Sequence, residues 1–492
     1  MKIKYILELV VFICGAIVMI FELVGSRVLG PYFGTSTIVW ASLIGVIMGS
    51  LSLGYYIGGK LADKDSSFKN LSLIILFSAI SISLTIFIKD SLLLVLQINT
   101  IIGSILASLF LFFPASFFLG MVSPYAAKLK IENLNTSGTT IGNLYAISTA
   151  GSIVGTFLSG FYLIPNFGTN KLLIILSLSL VMVSLLISTT NHIKIKLSLL
   201  FFVFITLLVS YGIDSIGAKN GFIDIDTAYN RIWIYDRIDT NTNKPVKIMG
   251  INNENHSSMF LDSDDLVSKY AKYYNLASHF NPDFKKTLIL GGAGYSYPKY
   301  FLLKYPEATI DVVEIDPKVT ELARKYFRLT ENERLNIYHE DGRIFLNKTK
   351  NKYDIIFGDA FSSRNSLPYQ LTTKEAVQRK YDILNDNGIV VLNIISAIDG
   401  KRGEFLRAEY ATYKSIFPQV FIFPVTFLDN GEKPQNIILI ALKSEKEQAF
   451  TNIDPEINEY LQRLWKKEIS LDIPVLTDDF APVDHYISRC FN

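Results

Sequence analysis

LILGGAGY at Leu288–Tyr295 and VVEIDP at Val312–Pro317 decide the fold of the second half of this chain. An apolar run enters a glycine-rich turn, and a second apolar run ends in a carboxylate, Glu314, 20 residues after Gly294. A Rossmann-type sheet builds a nucleoside pocket from these parts. The glycines let the backbone approach a ligand, and an acid at the tip of the second strand can accept hydrogen bonds from two ribose hydroxyls. The turn alone is weak; the turn with its downstream acid is much more specific.

Working outward, a strand–helix alternation fills the region from Lys286 onward. LILGG, ATIDVVEID, LNIYHEDG, YDIIFGDAF and GIVVLNII read as strands. YSYPKYFLLKY, PKVTELARKYF and KEAVQRKYDIL read as helices, and PQVFIFPVTF with NIILIALK as a closing hairpin. Before them, residues 220–262 carry short alternating strands separated by polar turns. Ligands in such sheets sit at the carboxyl ends of the strands. Gly292, Glu314, Asp341, Asp359 and Asn393 all fall there. Glu314 reads as a ribose acceptor or as a solvated strand end. Asp341 reads as an acceptor for an adenine amino group or as a helix N-cap. Asp359, directly after DIIFG, reads as a general base or as a structural carboxylate.

The first half is a different object. Half of the 492 residues are hydrophobic, and mean hydropathy is +0.31, too apolar for a water-soluble enzyme of this length. About 20 apolar residues cross a bilayer as a helix. Such stretches occur at Tyr5–Val24, Ile38–Leu61, Leu71–Ile88, Ile101–Val122, Thr140–Ile164, Leu172–Ser188 and Ile195–Tyr211. The first is followed by further spans rather than by a cleavage site, so it is not a signal peptide. Gly45, Gly49, Gly54, Gly151, Gly155 and Gly160 suit close helix packing, and Pro114 predicts a kink. Glu22 and Arg27 flank the end of the first span, either as a polar site or as an interfacial ion pair.

A net charge of +2 gives no reason to expect nucleic acid as a partner. Two distant cysteines and five scattered histidines argue against a disulfide framework and a metal site. Lysines at 2, 4, 60, 64, 69, 128, 130, 194 and 196 put the N-terminus in the cytoplasm by the positive-inside rule. Seven spans then place the second half outside, whereas a nucleoside made in the cytosol places it inside. The nucleoside argument is the stronger, since one span more or fewer reverses the count. The expected localisation is the cell membrane, multi-pass, with a cytoplasmic catalytic domain.

The second half resembles the spermidine synthase family, the polyamine aminopropyltransferases. The whole chain resembles the membrane-fused version of that family. In the first half the resemblance rests on ELVGSRVLGPYFGTSTIVW, GYYIGGKLAD and GNLYAISTAGSIVGTFLSGFYLIPNFG. In the second it rests on YNRI, LILGGAG, VVEIDPKV, HEDGRIFL, YDIIFGDAF, LPYQLTTKEAV and LTDDFAPVD. The resemblance implies an α-helical multi-span domain over 1–213, a small β subdomain over 214–285, and a Rossmann-like α/β domain of the class I methyltransferase type over 286–492.

It also implies transfer of an aminopropyl group from decarboxylated S-adenosylmethionine to a small-molecule amine such as putrescine, without a metal. Gly291, Gly292 and Gly294 then line the cofactor turn, Glu314 holds the ribose, and Asp341 with Gly342 meets the adenine. Asn230 lies beside the thioether end, and Asp359 orients and deprotonates the amine. Tyr369 falls on the acceptor side. Three departures stand out. The family's acidic GGGDGG turn reads GGAGYS, with glycine at 294. The DSTDP motif reads DAFSS, with Ser362 in place of the second acid. Lys269 stands near the glutamate of a tyrosine-x-glutamate segment. Asp478 and Asp479 could replace the missing carboxylates or form an acidic loop. Methyl transfer from S-adenosylmethionine uses the same pocket, and a non-catalytic nucleoside-binding sensor or transporter is a further alternative. The bilayer is an expected partner, and a homodimer is compatible with the sequence.

Overall fold

The computed structural model describes residues 5–97, 99–187, 221–252, 254–360 and 367–491. The chain forms two compact units. One holds the residues before 221 with Asp224–Ala228; the other holds Gly221–Ile223 and Tyr229–Asn492.

The first unit is built from α1 (Ile6–Phe33), α2 (Thr37–Lys64), α3 (Phe68–Val95), α4 (Thr100–Lys130), α5 (Ser137–Leu158) and α6 (Thr169–Leu186). Among the described residues six helical stretches are long and apolar enough to cross a membrane, α5 counting within Leu134–Asn166. They coincide with the first six expected spans; the seventh, Ile195–Tyr211, lies outside the described residues. Helices α1 to α4 run past the C-terminal ends of their apolar stretches because hydropathy marks only what lipid requires, while backbone bonding runs on to a cap. Asn99 caps α4 by accepting from the N–H groups of Ile101 and Ile102, and Asp226 accepts from the Thr169 N–H at 2.7 Å at the start of α6.

The α4 helix runs unbroken through Pro114 and Pro124. Hydroxyls of α3 support it there: Thr85 donates to the Leu111 carbonyl and Ser78 to that of Ala115, both at 3.1 Å. Only some of the expected glycines serve packing. A Cβ at Gly151 or Gly155 would lie 2.0 or 2.4 Å from the Phe12 or Ala16 carbonyl of α1, whereas Gly45, Gly49 and Gly160 face open space. Arg27 donates to the Thr227 carbonyl at 2.6 Å.

The short strand β1 (Ile223–Asp226) falls mostly in the first unit. In the second unit, the strands β2 (Arg231–Ile238), β3 (Pro245–Ile251) and β4 (Glu254–Phe260) pair as an antiparallel meander. Then follow β5 (Lys286–Leu290), β6 (Thr309–Val313), β7 (Leu335–Tyr338), β8 (Tyr353–Gly358), β9 (Leu384–Ser396), β10 (Gln419–Pro424) and β11 (Gln435–Leu442). They form one seven-stranded sheet in the order β10-β11-β9-β8-β5-β6-β7. The run from β9 to β7 is parallel, and β10 and β11 close it as an antiparallel hairpin. Strands buried on both faces must be apolar throughout; β8 and β11 read YDIIFG and QNIILIAL and are buried almost end to end. The outer side of β10 is occupied. The Trp465 N–H donates to the Ile422 carbonyl at 2.8 Å and Arg463 Nε to that of Pro424 at 3.1 Å.

The chain order reverses at β5, which lies between β8 and β6, and a crevice opens there at the strand ends. The expected helices appear as α7 (Ser296–Lys304), α8 (Pro317–Tyr326) and α10 (Lys374–Ile383). The N-cap reading of Asp341 is met by a short helix, α9 (Gly342–Lys348), and among the helices not foreseen is α11 (Glu404–Lys414). At seven residues α9 is too short to show a period, so only its cap could mark it. Helix α11 hides three of its charges: Glu404, Arg407 and Glu409 are buried, so no polar face betrays it.

Candidate active site

Backbone bonds knit three strand tips together. The Gly291 N–H donates to the Val313 carbonyl at 2.9 Å and the Asp359 N–H to that of Leu290 at 3.0 Å. Gly291 has a φ of 101°, and a Cβ there would lie 2.5 Å from the Asp359 carbonyl oxygen. Only glycine fits. Past it, Ala293 and Tyr295 take left-handed conformations, with φ of 43° and 55°. The Tyr295 ring folds back beneath the turn, fully buried, with its hydroxyl 2.7 Å from Thr320 Oγ1. A side chain at Gly294 would meet Ser257 Oγ at 2.7 Å. The acid expected from the family pattern therefore has no room in this turn.

Glu314 is buried at the tip of β6. Its Oε2 accepts from the Gly292 and Ala293 N–H groups at 2.9 and 3.2 Å, and its Oε1 from the Asp316 N–H at 3.0 Å. The carboxylate thus holds the glycine turn itself, and the remaining acceptor capacity lies on Oε1. Burial raises its carboxyl above the usual range, and the three N–H groups pull the other way. Asp341 caps α9, Oδ1 accepting from Arg343 and Ile344 N–H at 2.9 and 3.1 Å, while Oδ2 meets Gln370 Nε2 at 3.4 Å. Gly342 is the first residue of that helix. Asn230 reaches the same corner, donating to Asp316 Oδ2 at 3.3 Å and accepting from Asn252 at 2.8 Å.

Asp359 follows β8. Asn393 Nδ2 donates to its Oδ1 at 3.0 Å and the Tyr270 hydroxyl to its Oδ2 at 3.2 Å. Asn436 orients Asn393 in turn, at 3.0 Å. The buried Tyr274 hydroxyl stands close to this carboxylate but outside hydrogen-bond geometry. Burial raises the Asp359 carboxyl; Asn393, Tyr274 and Tyr270 oppose it. The same burial, with the Asp359 charge adding to it, drives the Tyr270 hydroxyl far up, so it stays a donor.

The structure thus brings together Gly291, Gly292, Gly294, Glu314, Asp341, Gly342, Asn230 and Asp359 at adjoining strand ends. The acceptor-side residues differ. Asp478 is committed to Arg343, at 2.7 and 3.1 Å, and to the Thr373 hydroxyl at 2.6 Å. Burial works against that charge, yet Thr373 and Arg343 hold its carboxyl below the ordinary range. Asp479 and Tyr369 are exposed, and Ser362 lies outside the described residues. Tyr270 and Tyr274, in VSKYAKYY beside the exposed Lys269, were not singled out from sequence. Their signal was a tyrosine-rich segment where a carboxylate was sought. Asn393 was visible as the lone polar residue in VVLNII.

Residues 272–428 match the family model described as the spermine/spermidine synthase domain. The chain is similar to the polyamine aminopropyltransferase of Vibrio vulnificus, 29% identical over 225 residues, covering 42% of this chain and 71% of the relative. It is 34% identical over 204 residues to the polyamine aminopropyltransferase of Streptococcus pneumoniae, covering 40% of this chain and 69% of that protein. Among solved structures, a probable spermidine synthase from Corynebacterium glutamicum is 22% identical, with a TM-score of 0.40, covering 48% of this chain and 85% of its own.

Proposed function

This chain belongs to the spermine/spermidine synthase family, and on that premise we propose that it transfers an aminopropyl group from decarboxylated S-adenosylmethionine to an amine such as putrescine. The observation that carries the reading is the enclosed Asp359 carboxylate, held by Asn393 and Tyr270 against the glycine turn. A sulfonium cation is its own leaving group, so the enzyme chiefly has to align an amine lone pair with the carbon beside sulfur. The C–N bond forms as the C–S bond breaks, and its electron pair leaves on sulfur as methylthioadenosine. The proton released by the new ammonium passes to Asp359. Tyr270 and Asn393 donate to both carboxylate oxygens and fix the direction from which Asp359 meets the nitrogen.

Donor recognition falls to Glu314, Asp341, Gly342 and Asn230 around the turn formed by Gly291, Gly292 and Gly294. Tyr369 and Asp479 lie on the acceptor side in this reading, with Asp478 acting through Arg343. The apolar helices anchor the enzyme in the cell membrane, with the catalytic domain in the cytoplasm where the donor is made. Methyl transfer is the second reading, favoured by one observation: Ser257 occupies the space of the acid that would hold the donor's amine. The test is incubation of the full chain with each donor and a set of polyamines, followed by mass spectrometry. A product heavier by one aminopropyl unit supports the proposal; a methylated product or no product overturns it.

A further inference from the structure

Asn393 and Asn436 stand on one face of the sheet. Asn393 pairs with Ile438 across the β9–β11 ladder, so Asn436, two residues along the same strand, points to the same side and meets it on the diagonal. Asn436 Nδ2 donates to Asn393 Oδ1 at 3.0 Å, and Asn393 Nδ2 donates to Asp359 Oδ1 at 3.0 Å. Side chains from β11, β9 and the end of β8 thus form a line of hydrogen bonds that finishes on the carboxylate.

An amide serves a carboxylate in only one of its two orientations. With its NH2 group toward Asp359, Asn393 points its carbonyl oxygen the other way, and at 2% exposure that oxygen needs a donor. Asn436 supplies it. Turned over, Asn393 would set its carbonyl oxygen against a charged carboxylate. The two oxygens of Asp359 are therefore unequal. Oδ1 faces an N–H, which cannot accept, so a proton on Oδ1 has no partner there. Oδ2 meets the Tyr270 hydroxyl at 3.2 Å, which donates to it when it is charged and can accept from it when it carries a proton.

We propose that Asn436 is a positioning residue: acting through Asn393, it keeps Oδ1 of Asp359 an acceptor and so makes Oδ2 the oxygen that takes the amine's proton. The N–H bond of the new ammonium breaks as the Oδ2–H bond forms. That step rests on the aminopropyl-transfer reading; the pairing of Asn436, Asn393 and Asp359 does not. The titratable groups that face Asp359 are the Tyr270 and Tyr274 hydroxyls, both driven up by burial and neutral, and among the described residues no formal charge joins them. Asn393 pulls the Asp359 carboxyl down against its burial. Loosening Asn393 raises the carboxyl further, so the charged base is lost at a higher pH as pH falls.

Asn436→Leu and Asn393→Leu keep a similar shape and remove the donors. On the full chain, the acid limb of kcat/KM moves up by about one pH unit in Asn436→Leu, a fall of about tenfold on the acid side, and the rate recovers above the moved limb. Methylthioadenosine affinity is unchanged. Asn393→Leu moves the limb at least as far, and the double variant no further than Asn393→Leu alone, because Asn436 acts only through Asn393. Difference infrared titration against Asp359→Asn reads the same carboxyl midpoint without turnover. A limb and midpoint that stay in place in Asn436→Leu, a loss equal at every pH, or shifts that add in the double variant overturn the proposal. A wild type that makes no aminopropylated product overturns the transfer reading instead, and the infrared midpoint still decides the role of Asn436.

Discussion

Replacing Asp359 by asparagine tests the proposed chemistry because the structure lets the variant keep its contacts. Asn393 Nδ2 donates to Oδ1 and Tyr270 to Oδ2. In Asp359→Asn the amide oxygen still accepts from Asn393, and the new amide N–H can donate to the Tyr270 hydroxyl oxygen. What disappears is the ability to take a proton. Loss of a general base lowers turnover by about 10²–10⁴, or ~2.7–5.4 kcal/mol in the barrier at 1.36 kcal/mol per tenfold. Methylthioadenosine affinity stays unchanged, since Glu314 and Asp341 lie on other strands.

Stability moves the opposite way. Burial raises the Asp359 carboxyl in the folded state, so the wild type is penalised for its charge above that raised value and freed of the penalty as pH falls through it. Asp359→Asn is therefore more stable than wild type near neutral pH, and the gain fades toward acid. Single-turnover kinetics with decarboxylated S-adenosylmethionine, calorimetry and thermal melts across pH read the three effects. Full turnover in the variant, or a variant less stable than wild type at neutral pH, refutes the assignment of Asp359 as an enclosed base.

Glu314→Gln has no orientation that satisfies the Gly292, Ala293 and Asp316 N–H groups together. It should lose at least one charge-assisted bond, about 1.5–3 kcal/mol, seen in denaturant unfolding and as weaker methylthioadenosine binding. Gly291→Ala forces a Cβ against the Asp359 carbonyl at a φ of 101°. About 1–3 kcal/mol of strain should show as a lowered melting temperature with loss of nucleoside binding; an unchanged melt refutes the geometry. Gly155→Ile drives a side chain into the Ala16 carbonyl and should separate α1 from α5, read as loss of monodisperse protein in detergent. Normal yield and elution would show that this contact is dispensable.

The parts legible in the sequence are those with a local signature. LILGGAGY and VVEIDP placed β5, the turn and β6 because the chemistry of a tight approach is written in consecutive residues. The first six spans were equally plain, since lipid demands an unbroken apolar run. The turn's internal wiring was not legible. Glu314 was expected to serve ribose, yet its carboxylate first satisfies three backbone N–H groups, a partnership set by how β5 and β6 stack in register. Asp478 likewise looked like a spare carboxylate; its pairing with Arg343 spans 135 residues. Helix α11 was missed because the charges that usually mark a helix's wet face are turned inward.

The segment that binds along β10 also limits how this sheet can meet another. Exposed edge strands are templates for pairing with a second chain. Here the Ile422 and Pro424 carbonyls are already taken by Trp465 and Arg463, and the opposite edge, β7, offers only four residues. A second copy cannot continue the sheet through β10 without first stripping residues 463–465 away. Edge-to-edge pairing of two copies along β10 is therefore blocked, and a main-chain competitor gains no purchase at that edge while residues 463–465 stay in place.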